Sequence, residues 1–406
     1  MNFKLYPQVT KIIIPDKVRL NSVVLNNTFG YIDSLTESYI PNSVTDMSYT
    51  HQYCRNLVTP ICSDNVTNMC GAYSSCYNLT TAICGNNVTD MSYAYSSCNN
   101  LTAAICGENV TDMTRAYGYC YNLTTAVCGE NVTNMSGAYH GCHNLATAVC
   151  GENVTNMYGT YGYCYNLTTA VCGNNVTDMC STYSNCYNLT TAICGENVTD
   201  MYFTYSDCHN LTTPVCGNNV TSMYGTYSNC YNLTTAVCGK NVTNMSCTYA
   251  NCTNICGNTY FYSNSISGVS SCFKTRKTYN ALNIYVHKNS NTFNSVICSN
   301  TRSLVGKTIT WTNDTSNNRL YNTAYNIYIY PVENVETTYI ENEYDSNISF
   351  SNNIGDYIEI EDNNVFIKTK YEFAPTELTI DSGSCFAIPI DFNNLNGVTI
   401  ESMEVK

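Results

Sequence analysis

One valine fixes the frame of this chain. It recurs at Val44, Val66, Val88, Val110, Val132, Val154, Val176, Val198, Val220 and Val242, a strict step of 22 residues with no insertion or deletion. The repeats run from about residue 43 to 257, more than half of the 406 residues. A clean copy, starting at Asn153, reads NVTNMYGTYGYCYNLTTAVCGN. A unit this short has no core of its own. It must bury its apolar positions against the copies before and after it, so the repeats predict a stack.

Two patterns alternate within each copy. Apolar residues recur at i, i+4, i+7 and i+10, as in Met157, Tyr161, Cys164 and Leu167. That spacing predicts one face of a helix. The residues between are Gly, Ser, Tyr and Asn, poor helix formers, so one or two helical or 3-10 turns are expected rather than a long helix. The second half, Leu167-x-x-Ala170-x-Cys172-x-x-Asn175, has the frame L-x-x-L-x-L-x-x-N with Ala and Cys for two leucines. It predicts a short strand at Ala170–Cys172, with Ala and Cys facing inward or, in the other phase, Val171.

A stack turns each position into a column. Of the 26 cysteines, nineteen stand on two columns, Cys54 to Cys252 and Cys62 to Cys238. Buried thiols are the expectation for both, with disulfides as the alternative, since free Cys is a small apolar residue. No C-x-x-C pair is present, and no metal site is expected. Cys70, Cys180 and Cys247 lie off the columns. Asn recurs at Asn56 to Asn254 and at Asn65 to Asn241. These amides are expected to bond the backbone of neighbouring copies rather than carry glycans, although most form N-x-T sequons. The Tyr of the apolar face, Tyr73 to Tyr249, is expected in the core with its hydroxyl reaching the surface.

Other positions vary while the frame stays fixed, so the stack does not dictate them. After the first Cys stand Tyr77, Asn99, Tyr121, His143, Tyr165, Tyr187, His209 and Tyr231; after the Met stand Tyr158, Tyr202 and Tyr224. These aromatic residues are the candidate ligand-binding positions. They can stack on sugars or anchor a protein partner, and equally they can shield a thin core.

Residues 1–42 read as a strand at Lys11–Ile14 followed by a degenerate capping copy, with Leu25 for the Met, Phe29 for the Tyr and Leu35 for the Leu. Residues 258–332 lose the period but keep strand patterns at 283–287, 308–312 and 326–330, and read as a C-terminal cap. Residues 333–406 read as a small β-sandwich-like domain, with a hairpin in DYIEIEDNNVFIKTKYEF turning at Asp362-Asn363-Asn364.

The repeat resembles the BspA-like leucine-rich repeats of bacterial surface proteins and some bacteriophages. Asn175-Val176-Thr177-Asp178-Met179 followed by Tyr183, Cys186 and Leu189 carries the likeness, with Tyr for the family's usual Phe. The resemblance covers about residues 22–257. It implies a right-handed solenoid with a parallel sheet, mostly β with short helical turns, followed here by a β-rich C-terminal domain. Its members are mostly adhesins or of unknown function, so the resemblance supplies no ligand.

Charged residues make up only 12%, and the net charge is -13. Nucleic acid needs clustered Lys and Arg, so it is excluded as the main partner. There is no apolar run of ~18 residues for membrane insertion. The N-terminus does not read as a signal peptide, because Pro15 and Asp16 end its only apolar patch. The five His are scattered, and no nucleophile, P-loop or zinc motif occurs. Glu359 and Glu361 share one strand face, read as solvated. A non-enzymatic, cofactor-free structural or adhesive protein is therefore expected. The first expectation is a virion appendage, a head or tail fibre exposed at the virion surface. The alternatives are a bacterial cell-surface adhesin and an intracellular scaffold. A host-surface protein or glycan, other virion or surface proteins, and further copies of the chain are the expected partners.

Overall fold

The computed structural model describes residues 8–14, 25–269, 271–273, 281–288 and 290–291, and the strands 312–314, 319–322, 327–332, 348–350, 357–361, 364–368 and 378–380. The chain divides into two compact units, Met1–Pro331 and Val332–Lys406.

In the first unit the repeats stack one rung upon the next. The inward positions are those the period marks: Val154, Met157, Tyr161, Cys164 and Leu167 are fully buried, as are their counterparts in the other rungs. Each such side chain contributes roughly 1.5–3 kcal/mol of gross stabilisation, realised only when a neighbouring rung covers it.

The expected helical turns are absent: among the described residues of 25–273 none is helical. The segment after each Met is instead a run of reverse turns. Thr160 N–H donates to Met157 O, Gly162 N–H to Gly159 O and Cys164 N–H to Tyr161 O, at 3.0–3.2 Å. The intervening groups bond to the next rung. Met157, Gly159, Tyr161 and Tyr163 N–H donate to the carbonyls of Asp178, Cys180, Thr182 and Ser184 at 2.8–3.0 Å. A helix would spend all of these donors on i−4 carbonyls. It is also barred by φ of +59° at Gly159 and +63° at Tyr163, the third positions of their turns, a conformation typical of type II turns. The same two positions are left-handed in all ten rungs, and in the cap at Asn27 and Tyr31.

The parallel pairing consists of single bridges, most of them in a column just before each Met, from Asp46↔Asn68 through Ser222↔Asn244 to Asn244↔Gly268. Two more, Ala103↔Thr125 and Thr169↔Thr191, stand beside the expected strand position without extending into a strand. Ala170–Cys172 is not a strand, although Ala170 and Cys172 do pack against the core. The reason is the core tyrosine. Tyr183 reaches across the coil, so that its hydroxyl donates to Val171 O and accepts from Val171 N–H. The hydroxyl is therefore buried, not at the surface. Burial pushes its pKa well above the usual phenol range.

These rings form one buried ladder, from Phe29 through His51 and Tyr73 to Tyr249 and Phe273. Successive centroids in it are 5.1–5.7 Å apart. The Cys54–Cys252 column is also buried. Each thiol donates to the carbonyl of the ladder residue one rung earlier, as Cys164 to Tyr139 at 3.2 Å. The outer column is half-buried except at Cys238, and from Cys62 to Cys194 its sulfur meets the Met seven residues on, as Cys172 to Met179 at 3.5 Å. All described cysteines, including Cys70, Cys180 and Cys247, are free. The Asn65–Asn241 column does form the expected amide ladder. Each Nδ2 donates to a carbonyl 23 residues earlier, from Asn65 to Asn42 at 2.7 Å to Asn241 to Asn218 at 2.8 Å.

At the N-terminal end Leu25, Phe29 and Leu35 are buried, and strand β1 (Lys11–Ile13) pairs in parallel with β2 (Glu37–Tyr39). At the other end one further rung follows after two extra residues. Its Ile266, Val269 and Phe273 take the Val, Met and Tyr positions, and Asn244 bridges Gly268. The insertion hides this rung from a strict 22-residue count. A five-stranded sheet follows in the order β3 (Gly257–Phe261), β4 (Leu282–His287), β7 (Ile327–Val332), β6 (Arg319–Asn322), β5 (Thr312–Asp314). The strand expected at 308–312 lies outside the described residues save for Thr312.

In the second unit β9 (Tyr357–Glu361) and β10 (Asn364–Lys368) form the expected hairpin, with Asn364 paired to Glu361 rather than in the turn. β8 (Ile348–Phe350) pairs antiparallel with β11 (Leu378–Ile380). The strands expected after residue 380 lie outside the described residues.

Candidate functional site

The column after each inner Cys is set outward by its neighbours. Cys164 and Leu167 point into the core, which leaves Tyr165 and Asn166 on the skin. Six members of this column form an unbroken ladder. The centroid steps are Tyr121–His143 4.7 Å, His143–Tyr165 4.4 Å, Tyr165–Tyr187 4.9 Å, Tyr187–His209 4.7 Å and His209–Tyr231 4.8 Å. Most of the rings are near-parallel. At this spacing each interior ring covers the faces of its neighbours. What an interior ring offers to a ligand is therefore its edge, its hydroxyl or its imidazole nitrogen, and not a face on which a sugar could stack.

Tyr77 is separated from this ladder by Asn99. Its ring is covered by Arg55 of the preceding rung, with the guanidinium carbon 5.8 Å from the centroid. Arg55 also pairs with Asp33 at 3.3 Å.

The column after the Met is discontinuous. Tyr202 and Tyr224 stack at 5.2 Å, and Phe203 stands edge-on to both. Tyr158 is 51% exposed, with Cys180 between it and Tyr202 in the column.

Three residues not singled out from the sequence widen the main ladder. Tyr119 and Tyr163 stand edge-on to Tyr121 and Tyr165 at 6.5 and 6.4 Å. His140 bridges the two, 5.3 Å from Tyr119 and 5.2 Å from Tyr163. The signal for Tyr119 and Tyr163 was present. They occupy a position that varies among Tyr, Ser, Gly, Asn and Asp in an otherwise strict frame.

Electrostatics on this surface are weak. Partial burial lowers the pKa of His143 and, more fully buried, of His140, so both favour the neutral imidazole. His209 lies 4.0 Å from Asp207. Among the described residues there is no His, Cys, Asp and Glu cluster that could hold a metal ion. No helix of the described residues is long and apolar enough to cross a membrane. The surface is thus a hydrogen-bonding, aromatic one.

Two solved structures are similar to this chain. One is a leucine-rich repeat protein from Bacteroides ovatus, 15% identical, covering 70% of this chain and 89% of that one, with a TM-score of 0.47. The other is a leucine-rich cell surface protein from Faecalibacterium prausnitzii, 18% identical, covering 71% and 90%, with a TM-score of 0.46. No curated protein matches the chain. The model of the BspA type leucine-rich repeat region matches in six copies, over residues 2–124, 114–234 and 157–256. Those segments span more than half of the sequence, and the chain belongs to the BspA-type leucine-rich repeat family.

Proposed function

We propose that this chain is a non-enzymatic adhesive protein of the bacterial cell surface, whose right-handed solenoid presents its aromatic skin to a host-surface glycan or protein. The observation that carries the reading is the outer ladder from Tyr121 to Tyr231, in which Tyr121, Tyr187 and Tyr231 are exposed and the rings between them half-buried. Six stacked rings on the outside of a repeat are not required by its core, which already holds a complete ladder of its own. Aromatic groups with polar tips give contact area at low conformational cost, as protein-binding surfaces do. Family membership supports the bacterial surface over a virion fibre, which none of the comparisons favours.

The test replaces Tyr77, Tyr121, Tyr165, Tyr187 and Tyr231 together by Ser in the full chain. Binding to cultured epithelial cells and to an immobilised glycan panel is then measured. Loss of binding with an unchanged circular dichroism spectrum is expected. Binding that survives all five substitutions overturns the reading. Fractionation of producing cells tests location, and protein confined to the cytosol rules out the surface assignment.

A further inference from the structure

We infer that the break in the outer ladder at Asn99 is a binding slot for one pyranose ring, held between the faces of Tyr77 and Tyr121. This rests on the adhesive reading above and names its ligand class and its place. The inference begins with which ring faces are open. Inside the ladder every face is covered by a neighbour 4.4–4.9 Å away. Tyr121 has His143 on one face only, at 4.7 Å and 21°. Its other face looks along the column towards the Asn99 rung. Tyr77 has Arg55 over one face. Arg55 comes from the preceding rung of the same column, so the opposite face of Tyr77 also looks towards Asn99. Two open aromatic faces thus oppose each other across a single rung that carries no ring.

The width of the gap selects the ligand. Two column steps of 4.4–4.9 Å place the faces about 9–10 Å apart. A flat ring needs about 7 Å between two faces, because carbon contacts are optimal near 3.5–4.0 Å. It would leave a void on one side, and voids forfeit dispersion contacts. A pyranose chair is thicker. With its axial hydrogens against each face it spans about 8–9 Å by the same contact distances. The C–H groups of a sugar face carry partial positive charge, which suits the negative face of an aromatic ring.

The floor of the slot is polar. With its amide oriented to satisfy its hydrogen bonds, the Asn99 nitrogen donates to the Ser97 carbonyl at 3.3 Å and the Tyr119 carbonyl at 2.9 Å. Those bonds hold the side chain and leave the amide oxygen as the acceptor for a ligand hydroxyl. The Tyr119 ring stands edge-on beside Tyr121 at 6.5 Å and forms one wall. Arg55, fixed by Asp33, backs Tyr77 from behind. A slot with two aromatic faces, a held amide and no charge on its floor suits a neutral pyranose.

The test is Asn99→Tyr. Tyr is the residue the column carries on both sides, at Tyr77 and Tyr121, so the variant completes the ladder instead of disturbing the fold. Its thermal midpoint should equal or exceed that of the unaltered chain. The probes are methyl β-D-glucopyranoside, methyl β-D-galactopyranoside and methyl N-acetyl-β-D-glucosaminide, added singly to the full chain and read by saturation-transfer NMR. Transfer to the axial hydrogens of at least one probe is expected with the unaltered protein, and a loss of at least tenfold with Asn99→Tyr. No transfer from the unaltered chain, or equal transfer from the variant, overturns the slot. The five-fold Tyr variant separates the two levels. If it loses cell binding while Asn99→Tyr keeps both cell and probe binding, the slot is wrong and the adhesive surface stands. If the five-fold variant still binds cells, the adhesive reading falls with it.

Discussion

The hydroxyl of Tyr227 donates to the carbonyl of Val215 at 2.6 Å and accepts from the N–H of the same residue at 2.8 Å. Twelve residues apart, the two lie on opposite sides of one coil, so a single side chain satisfies both backbone groups of the facing wall. Tyr227→Phe keeps the stacked ring but leaves that N–H and carbonyl unpartnered beneath it. A loss of about 1–3 kcal/mol is expected, the usual cost of orphaned buried polar groups. Urea denaturation checks it. A loss below about 0.5 kcal/mol would show that solvent replaces the hydroxyl and that the cross-coil bond is dispensable.

Gly195 is required by a close approach. A Cβ there would sit 2.8 Å from the Cys172 sulfur and 3.2 Å from the Gly173 carbonyl of the preceding rung. Gly195→Ala should therefore destabilise by about 1–3 kcal/mol through overpacking. The larger conflict is with a sulfur, so Cys172→Ala should relieve part of it. The double variant should recover about 1 kcal/mol relative to the sum of the single changes, measured as a double-mutant cycle. Strict additivity would assign the conflict to the carbonyl alone.

The interior of the stack was legible in the sequence because a repeat with no insertion gives each residue the same surroundings in every copy. Val, Met, Tyr, Cys and Leu face inward, Asn65–Asn241 bond backwards, and Leu25, Phe29 and Leu35 cap the end for that reason. Local conformation was not legible. A helix face and a run of turns share the spacing i, i+4, i+7, and the feature that separates them is positive φ at two positions per rung. Gly71, Gly137, Gly159 and Gly225 mark one of them, but Tyr93, Arg115 and Phe203 occupy it too and mask the signal. The candidate surface was half legible. Its column stood out by variation. That its rings cover one another, and that Asn99 opens a gap between two faces, depended on rotamers and spacings in three dimensions.

His51 takes the place of the tyrosine in the first rung, stacked on Tyr73 at 5.1 Å and tilted against Phe29 at 5.4 Å. Its Nε2 lies 2.7 Å from the Ser38 hydroxyl, while Nδ1 is buried without a partner. Burial lowers its pKa from 6.5 to about 3. The unfolded cap thus binds a proton between those values that the folded cap refuses. The stability this gives is complete above pH 6.5 and is lost as pH falls towards 3, by at most about 1.4 kcal/mol per pH unit. Amide exchange in residues 25–54, corrected for its intrinsic pH dependence, should rise between pH 6.5 and 4 relative to residues 153–205, which contain no histidine. His51→Phe should remove the difference. Equal acid response of both segments in the unaltered chain would place the proton elsewhere.

The thiols make the last prediction, and it runs the other way in pH. Burial raises the pKa of Cys54 from 9.0 to about 12 and that of the half-buried Cys150 to about 11. A rise of two units leaves about a hundredfold less thiolate at neutral pH, and the thiolate is the reactive form. In the native protein at pH 8, Ellman's reagent should therefore modify the outer column slowly and the inner column only as fast as the chain unfolds. The folded state keeps protons that the unfolded state releases above pH 9. The stability contributed by the neutral thiols is therefore complete below pH 9 and is lost as pH climbs through 11 and 12. The thermal midpoint should fall steeply above pH 9, and replacing Cys142, Cys164 and Cys186 by Ala should flatten that fall while lowering the midpoint at pH 7. Rapid native modification of every cysteine, or a midpoint indifferent to alkali, would mean that the two columns are open to solvent and not part of the core.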